Sequence, residues 1–251
     1  MKARIITKTI GVGEYEGKSI DEIIVGIARI SSGRSSETLF EDPIKLLRHC
    51  LTNGHWSVFA TCNLGIEITT SRAIGRELLR HWSLSPQEFS QRYAEVLEYE
   101  PIELREQSKS NRQSSTVMMD ASKVELGVVG SADEAISNHL RHGQYLYKKM
   151  MEKGVARECA RMILPESTQT VIYFNGKLRD WITMLNVRLH KTAQKECQEV
   201  AREIAWIIRK ECPIIAEALG NFYTVKDDGT NDCYEIPFLD QLILNKYKVK
   251  P

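Results

Sequence analysis

Arg72, Arg76 and Arg80 follow one another at every fourth position. On an α-helix that spacing places them along one stripe. The planar donor fork of arginine suits phosphate oxygens. Ile74 and Leu78 fall on a different face of the same segment and would anchor it in a core. The stripe runs directly into His81-Trp82 and then a serine-rich turn containing Pro86. Cations beside aromatics at a helix end describe a ligand site. For the stripe taken alone, a solvated charged face is the plainer reading. A second use for it is nucleic-acid binding, with Trp82 stacking on a base, but a formal net charge of only +1 weighs against a protein built to neutralise a nucleic-acid backbone.

Two other patterns carry less. GVGEYEGKS, from Gly11 to Ser19, has the look of a phosphate loop. That loop needs a glycine five positions before Gly17, where Val12 stands, so the spacing fails and a surface turn is expected. The six cysteines, Cys50, Cys62, Cys159, Cys197, Cys212 and Cys233, form no C-x-x-C pair and match no zinc pattern. With no secretory signal they read as reduced thiols, most of them small core residues.

The elements that must position these residues follow from apolar spacing. The chain of 251 residues suits one large domain or two small ones, with 42% hydrophobic and 27% charged residues in an ordinary globular balance. No signal peptide or membrane-length apolar run is evident, which predicts a cytoplasmic location, or the host cytoplasm for a viral enzyme. Arg4 to Ile10 alternates weakly, as a strand would. Ile20, Ile23, Ile24 and Ile27 place a helix over Ser19 to Ile30, followed by a Ser/Gly loop from Ser31 to Thr38. Asp42 caps a helix that begins at Pro43 and stops near Asn53-Gly54. Leu64, Ile66 and Ile68 mark a strand within Phe59 to Thr70, and Ser71 caps a helix running to about His81. Residues 94 to 120 are polar and irregular, a mobile loop near a site. Ser131 to Leu164 is helical, Thr168 to Phe174 a short buried strand, and Lys177 to Arg188 and Thr192 to Leu219 two further helices. Past Gly220 the chain ends in an apolar segment, Ile236 to Leu244. The expected fold is a mixed α/β (α+β) chain with long helices and few strands.

The segment RHWSLSPQEFSQRY, Arg80 to Tyr93, resembles the signature of flavin-dependent thymidylate synthases: Arg-His-Arg, seven residues, then Ser. Arg80 and His81 match, Trp82 replaces the second arginine, and Ser90 stands at the right distance. Glu88, Arg92 and Tyr93 also fit. Ala28-Arg29-Ile30-Ser31 resembles the family's early Ala-Arg-Val-Ser, and Asn53 to Phe59 its His-Gly-His segment. Arg157 to Pro165 resembles Arg-Glu-x-Ala-Arg-x-x-Leu-Pro. Leu185 to Arg188 with Ala193 to Glu196 resembles the late helix pair. These matches keep family order across roughly residues 20 to 219.

The resemblance implies reductive methylation of dUMP to dTMP, with 5,10-methylenetetrahydrofolate as carbon donor and NADPH-reduced FAD as hydride donor. It implies an antiparallel sheet packed with long helices, a main domain over 1–219 with an extension over 220–251, a homotetramer with shared active sites, and no enzyme cysteine nucleophile. It assigns FAD to Ser57, Arg80, His81, Trp82, Glu88, Lys177, Arg179 and Thr183. It assigns dUMP to Glu77, Arg80, Glu88, Phe89, Ser90, Gln91, Arg92, Arg161 and Arg188. Ser90, Gln91, Arg92 and Arg161 would hold the phosphate dianion. Ser90 is a ligand-binding hydroxyl, because no base is identifiable beside it. Arg188 is the electrostatic catalyst beside the pyrimidine. The chain departs from the pattern at Trp82, at Lys177 and Thr183 where asparagine is expected, at Glu77 where glutamine is common, and at Thr192 in place of a histidine. Each match also has an ordinary structural reading: Arg161 paired with Glu158, Arg188 as a helix-end cation, His55 as a satisfied histidine. Another nucleotide-acting flavoprotein and an inactive relative stay open, as does the nucleic-acid reading.

Overall fold

The computed structural model describes residues 1–30, 42–95, 97–190 and 192–220, together with the backbone of 223–225 and 231–233. The loop expected over Ser31 to Thr38 and the apolar tail expected from Ile236 lie outside the described residues. The elements run β1 (Lys2–Lys8), α1 (Ile20–Ile30), α2 (Pro43–Thr52), β2 (Asn63–Ser71), α3 (Arg72–Leu78), β3 (Ser85–Glu88), β4 (Arg105–Gln107) and β5 (Ser115–Met118). They continue with α4 (Ala132–Glu152), α5 (Arg157–Ala160), β6 (Gln169–Lys177), α6 (Leu178–Arg188), α7 (Lys195–Glu211), α8 (Pro213–Ala218), β7 (Tyr223–Val225) and β8 (Asn231–Cys233). This is the mixed class expected, helices with antiparallel sheet. The strand order in the four-stranded sheet is β1-β2-β6-β3.

The chain forms two compact units, the first Met1, Thr69–Arg80 and Gln87–Ile172, the second Lys2–Ile68, His81–Pro86 and Tyr173–Pro251. In the second, α1 begins with a reciprocal capping pair. Glu22 N–H donates to Ser19 Oγ at 3.2 Å, and Ser19 N–H donates to the Glu22 carboxylate at 2.8 Å. Of the four isoleucines whose spacing predicted the helix, Ile20, Ile23 and Ile24 are buried and Ile27 is half-buried. Asp21, on the same helix and fully buried, accepts from Ile214 N–H at 2.9 Å and Ile215 N–H at 3.1 Å. Pro213 opens α8 without an N–H of its own, so Asp21 satisfies the next two donors from a helix nearly the whole chain away. Burial holds the Asp21 carboxyl up at about 6 despite those two N–H groups, with Glu22 adding a small push in the same direction. Trp181, also fully buried, donates its indole N–H to Leu64 O at 3.0 Å and meets Phe174 edge-on, which fixes α6 against β2. Gly176 lies close under Leu84; a Cβ there would overlap that side chain.

Several expected boundaries are corrected. The helix after Ser71 stops at Leu78, not near His81, because the chain turns to bring Ser85–Glu88 into the sheet beside β6. Arg80 therefore leaves the stripe. The serine-rich turn runs into the strand β3 at the sheet edge, the position in a sheet where proline is tolerated. Residues 94 to 120 hold an antiparallel hairpin, with Arg105 opposite Met118 and Gln107 opposite Ser115. The long helix from Ser131 ends at Glu152, since Gly154 takes a left-handed φ of 81°. The last helical region starts at Lys195 and breaks at Cys212 before Pro213. Asp42 precedes α2 as expected but in a left-handed conformation and without a side-chain cap bond. The Gly11–Ser19 segment is a turn, with Gly13 and Gly17 at positive φ.

Candidate functional site

In the first unit, α3 places Arg72 and Arg76. Ser71 Oγ accepts from Ile74 N–H at 3.3 Å and starts the helix, while Ile74 and Leu78 are buried beneath it. Arg72 N–H and Ala73 N–H donate to Thr168 O at 2.9 Å and Glu166 O at 3.1 Å, tying the first turn to the chain just before β6. Gly75 allows close approach: a Cβ there would lie 3.1 Å from both Thr170 and Ile172 side chains. Phe89 N–H donates to Val171 O at 2.8 Å and anchors the turn that follows. There Ser90 Oγ accepts from Arg92 N–H at 3.3 Å.

These elements enclose a cavity of about 330 Å³ whose polar walls are Arg72, Arg76, Gln91, Arg161 and Glu166, with Leu164 and Pro165 as apolar wall. Its charges are only partly matched. Arg72 lies 3.4 Å from Glu88, which also accepts from Thr170 Oγ1 at 2.8 Å. Arg76 pairs with Glu166 at 2.6 Å. Arg161 makes no ion pair among the described residues. Glu158, its proposed helical partner, pairs instead with Arg92 at 3.2 Å, so that ordinary reading fails. Gln91 is 4% exposed, and its amide nitrogen has no hydrogen-bond partner among the described residues. An unpaired buried donor costs about 1–3 kcal/mol. Gln91 is one of the residues that line the cavity beside these guanidiniums.

Of the residues expected to contact dUMP, the cavity collects two of the phosphate set, Gln91 and Arg161. Ser90, Arg92, Phe89 and Glu77 do not line it, and Glu88 serves through Arg72. Arg80 is exposed beyond the end of α3. Sequence reasoning missed Glu166 and Thr170, which carry no local pattern. The uninterrupted arginine stripe on which the nucleic-acid reading rests is absent, since Arg80 lies beyond the helix, and Arg72 and Arg76 each lie within ion-pair distance of a carboxylate.

In the second unit, Arg188 is the last residue of α6, so it is a helix-end cation. It does more: its Nε donates to His81 Nε2 at 2.8 Å. Because guanidinium only donates, His81 Nε2 is the acceptor of this bond. The His81 carbonyl in turn accepts from Leu84 N–H at 3.0 Å. Trp82, in the same turn, is 93% exposed. Arg179 Nε lies 3.3 Å from Asp180, and Thr183 Oγ1 donates back to Arg179 O at 2.9 Å. Lys177 precedes α6, and Ser57 stands exposed at the start of a short turn. His55 is likewise exposed, its ring edge-on to His49. Among the cysteines, Cys50, Cys62, Cys197 and Cys212 are buried, and burial pushes the thiols of Cys50, Cys62 and Cys212 up. Those three are unsuited to act as thiolates. No helix among the described residues is long and apolar enough to cross a membrane.

Residues 14–214 match the family model described as thymidylate synthase complementing protein. The chain is 39% identical over 214 residues to a flavin-dependent thymidylate synthase of Synechocystis sp., covering 85% of this chain and 96% of that protein. It is 38% identical over 225 residues to a probable flavin-dependent thymidylate synthase of Paramecium bursaria Chlorella virus 1, covering 87% and 99%. The crystal structure of a UMP/dUMP methylase, PolB from Streptomyces cacaoi, bound with 5-Br dUMP, shares the fold. Its TM-score is 0.69 at 22% identity, over 87% of this chain and 94% of that one.

Proposed function

This chain belongs to the flavin-dependent thymidylate synthases, and from that premise we propose that its first-unit cavity takes the phosphate of dUMP and that Arg188 is the electrostatic catalyst of the reaction. The reaction is reductive methylation of dUMP to dTMP. FAD is the cofactor, and 5,10-methylenetetrahydrofolate and NADPH are co-substrates. When bound and reduced, FAD supplies the hydride.

The observation that carries the assignment of the cavity is Gln91. Its buried, unpaired amide stands beside Arg161, a cation without a carboxylate partner among the described residues. A phosphate dianion satisfies both at once through charge-assisted hydrogen bonds. Ser90 and Arg92 border that segment and act with it when substrate is present. Arg188 brings a fixed positive charge, held in orientation through its Nε by His81. Beside the uracil ring it stabilises the negative charge that develops as C5 becomes nucleophilic.

The residues expected around FAD fit its chemistry. Trp82 presents a nearly bare indole face to a planar ring system, Arg179 and Lys177 offer cations for a pyrophosphate, and Ser57 an exposed hydroxyl. Replacing the second arginine of the family signature by Trp82 exchanges charge for stacking. The resemblance also assigns Arg80, His81, Glu88 and Thr183 to FAD. The assembly is a homotetramer in which subunits share active sites, a reading supported by family membership.

Purified protein is tested for tritium release from 5-tritiated dUMP with methylenetetrahydrofolate and NADPH, alongside release and identification of its flavin. The expected result is tritium in water together with dTMP and FAD. Flavin-loaded protein that releases no tritium refutes the reading.

A further inference from the structure

Glu166 is the one cavity residue that works against an anion. Its carboxylate lies 2.6 Å from Arg76, and both side chains are more than half exposed, at 55% and 67%. A pair so exposed is held weakly and exchanges readily with solvent and with other anions. The remaining carboxylate near the wall, Glu88, is differently placed: it is mostly buried, engages Arg72, and is fixed by the Thr170 hydroxyl. The cavity thus contains three guanidiniums, one matched by a fixed carboxylate, one by a loose carboxylate, and Arg161 by none among the described residues. A dianion entering while Glu166 stays on Arg76 would leave an excess of negative charge. If Glu166 swings into solvent, the two unmatched guanidiniums balance the dianion.

We propose that Arg76 is a further ligand of the substrate phosphate, and that Glu166 occupies it in the free enzyme and competes with substrate for it. This rests on the reading of the cavity as the phosphate site. Glu166 then sets substrate affinity without touching the substrate: it lowers affinity for anything bearing a phosphate and leaves uncharged nucleosides alone.

The test measures binding of dUMP and of deoxyuridine to FAD-loaded enzyme by calorimetry, with wild type, Arg161→Gln, Glu166→Gln, Arg76→Gln and the double variant of the last two. Glu166→Gln should tighten dUMP about two- to fivefold, the range set by the worth of an exposed ion pair, and leave deoxyuridine unchanged. Arg76→Gln should weaken dUMP roughly tenfold, and the double variant should bind no better than Arg76→Gln alone. Unchanged or weaker dUMP binding by Glu166→Gln overturns the proposal, as does equal tightening of deoxyuridine. So does a double variant that keeps the full gain. Arg161→Gln separates the two levels. If it leaves dUMP affinity intact, the cavity is not the phosphate site. If it weakens dUMP while Glu166→Gln and Arg76→Gln do nothing, the cavity reading stands and only the competition fails.

Discussion

Asp21→Asn should change how stability depends on pH, by an amount the structure sets. The Asp21 carboxyl titrates at about 6 in the folded chain against an ordinary value of 3.8. Below the lower value it is protonated in both folded and unfolded chains, and its contribution is fully present. Between the two, the folded chain keeps a proton the unfolded chain has released, so stability falls as pH rises. Above about 6 the contribution is gone. A separation of about two pH units at about 1.36 kcal/mol each gives about 3 kcal/mol lost between pH 4 and pH 7. Asparagine has the same shape, carries no titration, and offers one acceptor oxygen for the two N–H groups of Ile214 and Ile215. One of those donors then faces an amide NH₂, so the variant is less stable than wild type at pH 4. Its deficit should shrink by about 3 kcal/mol on going to pH 7, equivalent to roughly 6–12 °C in Tm for a chain of this size. Urea unfolding of both proteins at each pH, with FAD in fixed excess, measures this difference. The other carboxylates, which titrate identically in both proteins, cancel. Wild-type and variant curves that run parallel from pH 4 to pH 7 refute the reasoning.

Three further outcomes are expected. Arg188→Ala should lose about a hundredfold in tritium release, about 3 kcal/mol, while retaining FAD, and Arg188→Lys should recover part of the loss; near-normal turnover in the folded, FAD-loaded alanine variant would remove Arg188 from catalysis. Ser90→Ala should keep measurable turnover with a raised KM for dUMP, since its hydroxyl accepts from Arg92 N–H and no base adjoins it; complete loss of chemistry with unchanged KM would make it a nucleophile after all. Gln91→Leu should leave Tm unchanged or higher, because it deletes an unpaired buried donor, and should weaken dUMP about tenfold; a lowered Tm with unaltered affinity would show that the amide serves the fold.

What was legible in the sequence was mostly local. Ser71 starts its helix by a bond to a residue three positions on, and Ile74, Leu78, Ile20, Ile23 and Ile24 face inward as their spacing requires. Ser19 and Glu22 form a capping box that the S-x-x-E spelling displays and that the apolar count alone passed over. Arg80 continues the helical spacing yet leaves the helix, because pairing of Ser85–Glu88 beside β6 outweighs a local preference worth tenths of a kcal/mol. The hairpin of β4 and β5 escaped notice because its strands are short and largely exposed, with the two apolar residues of β5, Val117 and Met118, adjacent rather than alternating. Arg188 was visible through family resemblance, but its bond to His81, across 107 positions, was not. Neither was the pairing of Arg76 with Glu166, nor the capping of α8 by Asp21. Each depends on where the chain returns, which residue types do not encode locally.

Gly176 places a different demand on the molecule. Its lack of a side chain lets Leu84 pack on β6, and Leu84 holds the turn whose first residue, His81, steadies Arg188. In genetic terms this is where a conditional allele belongs. A single methyl at 176 alters none of the proposed site residues but would overlap Leu84, so Gly176→Ala should loosen the turn and with it the His81–Arg188 contact, more so on heating. A cell that depends on this enzyme for thymidylate would grow when cool and require exogenous thymidine when warmed. Loss of Arg188 itself would give auxotrophy at every temperature.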